Sequence, residues 1–180
     1  ALFRLDGRVA LVTGASSGLG DHFARVLHSV GAQVVVTARR SDRLELLVDD
    51  LPGAVAVTAD LASADDRERL VAEVLERFGR VDVLVNNAGV GEAVGVEDES
   101  LEWFRTAMEV NVTAIWHLSK LTAPAMIDHG AGAIVNVSSM AGVTPLRGCT
   151  YYGAAKAGLA MASEIARLEL APAGVRVVTV

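Results

Sequence analysis

The stretch Val9-Ala10-Leu11-Val12-Thr13-Gly14-Ala15-Ser16-Ser17-Gly18-Leu19-Gly20 consists of a β-branched strand, a glycine-rich turn and the start of a helix. Glycines in such a turn let the backbone bend sharply and approach a pyrophosphate closely. The free N–H groups and the dipole of the following helix favour negative charge. The spacing Gly-x3-Gly-x-Gly differs from the common dinucleotide fingerprint Gly-x-Gly-x2-Gly, so the loop by itself indicates rather than establishes a nucleotide site.

Three other interpretations of this loop can be weighed, of which the P-loop is excluded. Gly14–Gly18 also matches the Gly-x-Ser-x-Gly elbow of α/β-hydrolases, with Ser16 as the nucleophile, in the strand-turn-helix context that this motif requires. That elbow needs an oxyanion loop from an earlier strand, and the residues before Gly14 are too few to provide one. A P-loop needs a lysine after the last glycine, and none occurs here. A plain tight turn is the third alternative.

Beyond the loop, short β-branched runs alternate with longer segments of helical period, which predicts βα units and a parallel sheet with helices on both faces. The predicted strands are Val9–Thr13, Gln33–Thr37, Ala54–Thr58, Val81–Val85, Ala133–Val137 and Val175–Val180. The predicted helices are Gly18–Val30, Ser41–Asp50, Ala64–Phe78, Leu101–His129 and Tyr151–Leu170. Gly31, Gly53 and Gly79 read as helix terminators, and Pro124 should kink or end the fourth helix. We expect a single α/β domain over residues 1–180.

The composition of the chain indicates which kind of partner the protein binds. The formal charge of −6 argues against nucleic acid, which a basic surface would normally meet, and favours a small molecule. No apolar stretch reaches the ~20 residues that span a bilayer, and the first six residues lack a signal-peptide layout, so we expect a soluble, cytoplasmic protein without a membrane partner. The lone Cys149 reads as a structural residue, and the four histidines have no metal-ligand spacing, so no metal site is predicted.

The end of the second predicted strand bears on the choice of nucleotide. An acidic residue there would bind an adenosine ribose, whereas arginine would meet a 2′-phosphate. Arg39, Arg40 and Arg43 follow the strand, and Arg39 comes immediately after it, where a guanidinium can bind phosphate oxygens in bidentate fashion. Asp42 is the rival acid, but Ser41-Asp42 also reads as a helix N-cap and a first-turn carboxylate. The pattern favours NADP(H), with NAD(H) as the alternative.

Tyr152 and Lys156 stand four residues apart, so on a helix they share one face. A free tyrosine has a pKa of ~10, so a useful phenolate base needs a nearby cation. A Tyr-x3-Lys spacing is common by chance, and a surface helix pair is the alternative. Tyr151 is a decoy, because the residue four positions later is Ala155, which supplies no cation.

The motifs occur in a characteristic order, which is more specific than any one of them. They are Thr13-Gly14-x3-Gly18-x-Gly20, Asn86-Asn87-Ala88-Gly89, Asn111, Val135-Asn136-Val137-Ser138-Ser139 and Tyr152-x3-Lys156. This ordered set resembles the short-chain dehydrogenase/reductase family over essentially the whole chain. The resemblance implies a Rossmann-type, doubly wound sheet of strand order 3-2-1-4-5-6 and reversible hydride transfer between a nicotinamide cofactor and an alcohol/carbonyl pair.

The resemblance also assigns residues. It implies a catalytic set of Asn111, Ser139, Tyr152 and Lys156. Ser138 is the alternative to Ser139, and we expect it to play a supporting role. It implies cofactor contacts from Gly14, Ser16, Ser17, Gly18, Leu19, Gly20, Asp60, Leu61, Asn87, Ala88, Gly89, Tyr152 and Lys156, beside Arg39 and Arg40. Asn111, a poor helix former, could break its helix locally and expose a carbonyl. Asp60 at a strand end also reads as a turn cap.

Family members usually continue past the position of Val180 with a substrate-covering segment and one more strand. The given sequence does not include this segment, and we therefore expect it to be part of a longer protein. Gly91–Gly95, Met140–Arg147, Cys149 and Tyr151 should line the visible half of the substrate pocket, and their small or apolar character suggests a modest apolar carbonyl compound. The resemblance implies a homodimer or homotetramer. A catalytically silent nucleotide-binding scaffold or sensor on the same fold is the alternative function.

Overall fold

A computed structural model describes residues 4–180. Residues 1–3, which belong to the predicted domain and to the N-terminal stretch without a signal-peptide layout, lie outside the described residues. The chain forms one six-stranded sheet in the order β3-β2-β1-β4-β5-β6, and every pairing is parallel. The strands are β1 (Val9–Thr13), β2 (Gln33–Ala38), β3 (Val55–Thr58), β4 (Val83–Asn86), β5 (Gly132–Asn136) and β6 (Val175–Thr179). The helices are α1 (Gly18–Ser29), α2 (Ser41–Asp49), α3 (Ala64–Phe78), α4 (Leu101–Met108), α5 (Ala114–Asp128) and α6 (Thr150–Leu170). The predicted fold class and strand order are confirmed.

Strand β1 shows why the sequence is so apolar. All of its residues are buried, because side chains that alternate along the strand face helices on both sides of the sheet. Val9 and Leu11 pack in a cluster with residues of α3 and α5, whereas Ala10 and Val12 pack in a second cluster with residues of α1 and α2. Burial on two faces produces continuous apolar strands instead of alternating ones.

The long predicted helix Leu101–His129 is wrong as a single element. Helix α4 ends at Met108, and residues Glu109–Thr113 form a single π-helical turn, here called the π-turn, before α5 begins at Ala114. The predicted local break at Asn111 is confirmed. Pro124 does not end the helix, since α5 continues through it to Asp128.

Smaller differences concern the ends of the elements. Ser41 is the first residue of α2 and Arg40 is its N-cap, so the predicted serine cap is wrong, while Asp42 does lie in the first turn. Helix α3 ends as predicted, with Gly79 in the left-handed region at φ 70°. Glycine takes this conformation without steric cost, and it closes the helix. In the described part of the chain, no helix is both long enough and apolar enough to cross a membrane.

Candidate active site

The glycine loop packs directly against the end of β4. A Cβ atom on Gly14 would lie 2.8 Å from the Cα atom of Ala88, and one on Gly20 would lie 2.3 Å from the carbonyl oxygen of Gly14. No larger residue fits at either position without moving backbone. Helix α1 begins at Gly18, after Ser17, whose side chain forms no capping bond, so this side chain leaves the first N–H groups of the helix available to a ligand.

Thr13 and Asn87 join the carboxyl ends of β1 and β4. The buried Thr13 hydroxyl accepts hydrogen bonds from the backbone N–H groups of Asn87 (2.9 Å) and Ala88 (3.0 Å) and donates to the carbonyl of Val85 (3.1 Å). The Asn87 side chain donates back to the carbonyl of Thr13 at 2.9 Å. These bonds hold the glycine loop and the 87–89 segment in a fixed relation at the sheet edge where ligands bind in doubly wound folds.

A cleft of about 560 Å³ opens at this edge. The predicted cofactor residues that line it are Gly14, Ser16, Ser17, Leu19, Arg39, Arg40, Asp60, Leu61, Asn87, Ala88 and Gly89. Gly18 and Gly20 do not line this cleft; Gly18 starts α1, and Gly20 is buried in the loop packing. Tyr152 and Lys156 do not line it either.

Sequence reasoning missed several lining residues: Ala38, Ala59, Ala62, Val90, Trp103, Thr106 and Val110. The rule that ligands meet the carboxyl ends of parallel strands could have found Ala38 and Ala59, which end or follow β2 and β3. Trp103, Thr106 and Val110 follow a spacing of three and four residues and lie on one helical face. Only the packing of α4 and the π-turn against the sheet shows which face that is.

The two arginines at the mouth of the cleft behave differently. Arg40 donates from its guanidinium to the hydroxyls of Ser16 and Ser17, both at 2.8 Å. Arg39 is exposed and lines the cleft, and Asp42 is exposed but is not among the lining residues. Asp60 lines the cleft and also caps its own turn, accepting from the Ala62 N–H at 3.0 Å.

Asn111 is fully buried in the π-turn and reaches across to the segment after β4. Its side-chain amide donates to the carbonyl of Val90 at 2.7 Å, and its oxygen accepts from the Val90 N–H at 3.0 Å. Gly89 lies between Asn111 and Lys156, since a Cβ there would be 2.9 Å from the Asn111 oxygen and 3.8 Å from Lys156 Nζ. The side chains of Asn111 and Lys156 therefore both lie next to the backbone at Gly89.

Lys156 is almost completely buried on α6. Its Nζ donates to the carbonyl of Val137 at 2.7 Å and lies 5.8 Å from the centre of the Tyr152 ring. Burial disfavours the charged ammonium and lowers the pKa of Lys156 from 10.5 to about 8. The pair predicted from spacing is therefore a contact between a partly exposed phenol and a buried cation, and the alternative of a surface helix pair is wrong.

The two serines after β5 have different surroundings. Ser139 caps a short 3₁₀ turn, and its hydroxyl accepts from the Ala141 N–H at 3.2 Å. Ser138 faces the backbone of neighbouring elements: its N–H donates to Val180 at 2.6 Å and its hydroxyl to the Lys156 carbonyl at 3.5 Å. Ser138 thus links this segment to α6, whereas Ser139 stabilises the turn itself.

A second, open cavity of about 320 Å³ lies beside the phenol and is lined by Gly91, Glu92, Ala93, Cys149 and Tyr152. Of the predicted pocket residues, Gly91, Glu92, Ala93 and Cys149 line this cavity, whereas no residue of Met140–Arg147 does. The prediction that Tyr151 lines the pocket is wrong. Its side chain is fully buried inside the fold, and its hydroxyl bonds to Glu92 and Trp103.

Comparison with known proteins agrees with this arrangement. The family described as "short chain dehydrogenase" matches residues 8–180. A 3-oxoacyl-[acyl-carrier-protein] reductase of Synechocystis is 36% identical over 178 residues, covering 96% of this chain and 72% of the relative.

Solved structures are similarly close. The crystal structure of a short-chain dehydrogenase from Streptomyces avermitilis superposes with a TM-score of 0.93 at 38% identity, covering 96% of this chain and 64% of the other. A metagenomic short-chain oxidoreductase in complex with NADP gives a TM-score of 0.92 at 39% identity, covering 97% of this chain and 81% of the other.

The fold and cleft define a dinucleotide-binding oxidoreductase of the doubly wound α/β class. More narrowly, the chain belongs to the short-chain dehydrogenase/reductase family, whose members are NAD(P)-dependent dehydrogenases and reductases.

Proposed function

We propose that this protein transfers a hydride reversibly between NADP(H) and a small alcohol/carbonyl substrate, with Tyr152 as the general acid/base. One observation carries the proposal: the buried Lys156 ammonium lies 5.8 Å from the Tyr152 ring, and that phenol lines an open cavity. A phenol with a cation on one side and solvent-accessible space on the other can pass a proton to a bound oxygen atom.

The residues of the cleft fit a dinucleotide. Gly14 and Gly20 let the loop pack tightly against the end of β4, because a Cβ on either would collide with protein atoms there. The N-terminus of α1 supplies N–H groups for a pyrophosphate. When bound, the cofactor supplies or accepts the hydride. The chain's own residues bind it and manage the proton.

Each member of the catalytic set then has a task. In reduction, Tyr152 donates its phenolic proton to the carbonyl oxygen, and in oxidation its phenolate takes the alcohol proton. Lys156 stabilises the phenolate electrostatically. Ser139 donates a hydrogen bond to the substrate oxygen as negative charge develops. Asn111 holds the 89–91 backbone segment through its two bonds to Val90.

A preference for NADP(H) over NAD(H) is part of the proposal. Arg39 and Arg40 flank the cleft at the end of β2, where an adenosine 2′-phosphate would meet them. Two guanidinium groups at this position favour a phosphate dianion over a bare ribose hydroxyl. The metagenomic neighbour in complex with NADP is consistent with this preference.

The substrate is proposed only as a class. The cavity beside Tyr152 is lined mostly by small or apolar groups, which fits a small apolar carbonyl compound. Because one relative is a 3-oxoacyl-[acyl-carrier-protein] reductase, a 3-oxoacyl thioester belongs among the first compounds to test.

Tyr152→Phe tests the mechanism. With acetoacetyl-coenzyme A and cyclohexanone as probes, the variant should lose NADPH oxidation almost completely and bind NADPH within about two-fold of the wild type. Retained turnover would refute the role of Tyr152. NADPH binding without turnover of any carbonyl compound by the wild type would favour the silent nucleotide-binding protein.

A hydrolase role for Ser16 is disfavoured by its partner. The Ser16 hydroxyl bonds to the guanidinium of Arg40, a group that cannot act as a base. Labelling of Ser16 by a serine-directed phosphonate would contradict this conclusion.

Oligomerisation and location remain predictions. A homodimer or homotetramer is supported by exposed apolar side chains on α5 and α6: Trp116, Ile127, Met161, Ile165 and Leu168. The cytoplasmic location rests on the sequence argument alone.

A further inference from the structure

Tyr151, which spacing marked as a decoy, uses the full hydrogen-bonding capacity of its hydroxyl. The group donates to the carbonyl of Glu92 at 2.9 Å and accepts from the Glu92 N–H at 2.7 Å and from the Trp103 indole N–H at 2.8 Å. A phenol has one donor hydrogen and two acceptor lone pairs, so nothing is left over. The side chain is fully buried, and a hydroxyl so placed fixes the backbone that it binds.

Glu92 is held in the same way as Val90. Asn111 binds both the N–H and the C=O of Val90, and Tyr151 binds both the N–H and the C=O of Glu92. The two side chains come from different elements, the π-turn and α6, and they hydrogen-bond to alternate residues of one segment. Gly91 lies between these two hydrogen-bonded residues.

Gly91 packs against the ring of Tyr152, the acid/base of the proposed function. A Cβ on Gly91 would be 2.5 Å from Cδ2 and 2.9 Å from Cε2 of Tyr152. The backbone of Val90–Glu92, here called the wall, is therefore in van der Waals contact with the Tyr152 ring. A wall that moved away would leave the ring free to rotate from its place beside Lys156.

We propose that Tyr151 is a positioning residue, which clamps the Val90–Glu92 wall against the Tyr152 ring and, through Trp103, ties this wall to the cofactor cleft. Trp103 and Val90 both line that cleft. The hydrogen bond from Trp103 to Tyr151 thus links a residue beside the cofactor to the segment that supports the acid/base. The inference rests on the proposed function for its catalytic consequence only.

Tyr151→Phe is the test, because it removes the hydroxyl and keeps the ring. With NADPH and acetoacetyl-coenzyme A, kcat should fall by about ten-fold or more, while KM changes by less than about three-fold, since misplacing a reacting group lowers the rate more than it weakens binding. Ser163→Ala is the matched control: it removes another buried hydroxyl of α6, bonded to Asn136 and Leu159, away from the phenol. It should lower the melting temperature and leave kcat unchanged.

Two further readouts do not depend on turnover. In Tyr151→Phe, hydrogen exchange of a peptide covering residues 89–95 should rise. In a Trp116→Phe background, where Trp103 is the only tryptophan, its emission maximum should shift when the Tyr151 hydroxyl is removed. In the unmodified protein, the Glu92 amide should exchange more slowly than the exposed amides nearby, and this measurement needs no variant.

Unchanged kcat in Tyr151→Phe, despite faster exchange at residues 89–95, overturns the positioning role. Unchanged exchange and emission, or a freely exchanging Glu92 amide in the unmodified protein, overturns the clamp itself. Retained turnover by Tyr152→Phe would refute the proposed function instead, and the Glu92 amide would still judge the clamp separately.

Discussion

Lys156 is buried, and its environment differs from that of a surface lysine. With a pKa of about 8 in the folded state, it binds its proton less tightly than in the unfolded chain. Between about pH 8 and pH 10.5 the unfolded state holds more protons, so stability rises with pH in this window. Well below pH 8 the whole cost of the buried charge is present, about 3 kcal/mol before compensation by other groups.

Replacing Lys156 by Met should therefore change stability in a pH-dependent way. The difference in free energy of unfolding, variant minus wild type, should be most positive at pH 7 and decrease as the pH rises from 8 to 10. Urea unfolding at pH 7, 8.5 and 10 measures it. Lys120→Met, which alters the sequence's other lysine at an exposed position, is measured alongside as the control. A flat difference for Lys156→Met would contradict the pKa shift.

Gly91→Ala tests how closely the wall fits the phenol. The added methyl group would lie 2.5 Å from Tyr152 Cδ2, so either the ring or the wall must move. We expect kcat/KM for NADPH-dependent reduction to fall by about 100-fold, because an ångström of misplacement has that effect. NADPH affinity should hold, since Gly91 is not among the cleft-lining residues.

Gly158→Ala is the control for that substitution. Nothing lies within 4 Å of a Cβ at Gly158, which is an exposed residue of α6. Alanine there should leave kcat/KM unchanged and raise the free energy of unfolding by about 0.5–1 kcal/mol, as expected for a helix interior. Equal activity of the two variants would show that the wall can yield without cost.

At the scale of elements, Asp82 joins the amino ends of β1 and β4. Its carboxylate accepts from the backbone N–H of Val9 at 2.8 Å, from Arg8 at 2.8 Å and from Arg80 at 2.7 Å. Burial by itself would raise the pKa of Asp82, but the hydrogen bonds from Arg80, Val9 and Arg8 outweigh it and hold the pKa below its ordinary value.

Asp82→Asn should lower the free energy of unfolding by about 2 kcal/mol at pH 7, because a charged acceptor of several hydrogen bonds is lost. A carboxylate with a depressed pKa contributes stability above its unfolded value, near pH 4, and loses it as the pH falls further. The difference in free energy of unfolding between wild type and variant should thus be constant from pH 5 to 7 and narrow as the pH falls below about 4. Asp49→Asn, at an exposed position, is the control in the same urea titrations. A gap that does not narrow between pH 5 and pH 3 would contradict the lowered pKa of Asp82.

For the whole molecule, cofactor binding should appear as added stability. A ligand at 100 times its Kd adds about 2.7 kcal/mol, which for a chain of 180 residues raises the melting temperature by roughly 5–10 °C. We expect that shift with NADPH and a much smaller one with NADH at equal concentration. Arg39→Ser should remove most of the NADPH shift and leave the NADH shift unchanged.

Arg43→Ser is the matched control, because Arg43 is exposed on α2 and is not among the cleft-lining residues. Thermal unfolding followed by circular dichroism measures all three proteins. An equal or larger shift with NADH in the wild type would refute the role of Arg39.

The fold could be predicted nearly completely from the sequence. Strand β1, the glycine loop and the start of α1 follow from local features: β-branched residues, glycines that alone fit the turn, and a helix start. The parallel order followed from the alternation of strands and helices together with the family resemblance. The exception was Leu101–His129, where continuous helical periodicity concealed the π-turn at residues 109–113, because a single extra residue in a helix hardly changes its pattern.

The candidate site was predicted in its residue types and only partly in its environment. The Tyr152/Lys156 spacing put both side chains on one helical face, but burial of the ammonium depends on packing against the Val137 carbonyl, 19 residues away in sequence. Tyr151 shows the limit most clearly, since its partner Glu92 is 59 residues distant and nothing in the local pattern joins them. The sequence determined which chemical groups are present and their order along the chain, because strands, turns and helix faces are specified locally. The tertiary structure alone decided which side chains are buried, which backbone groups they bind and which of two adjacent tyrosines faces the cavity, because each of these depends on elements far apart in the chain.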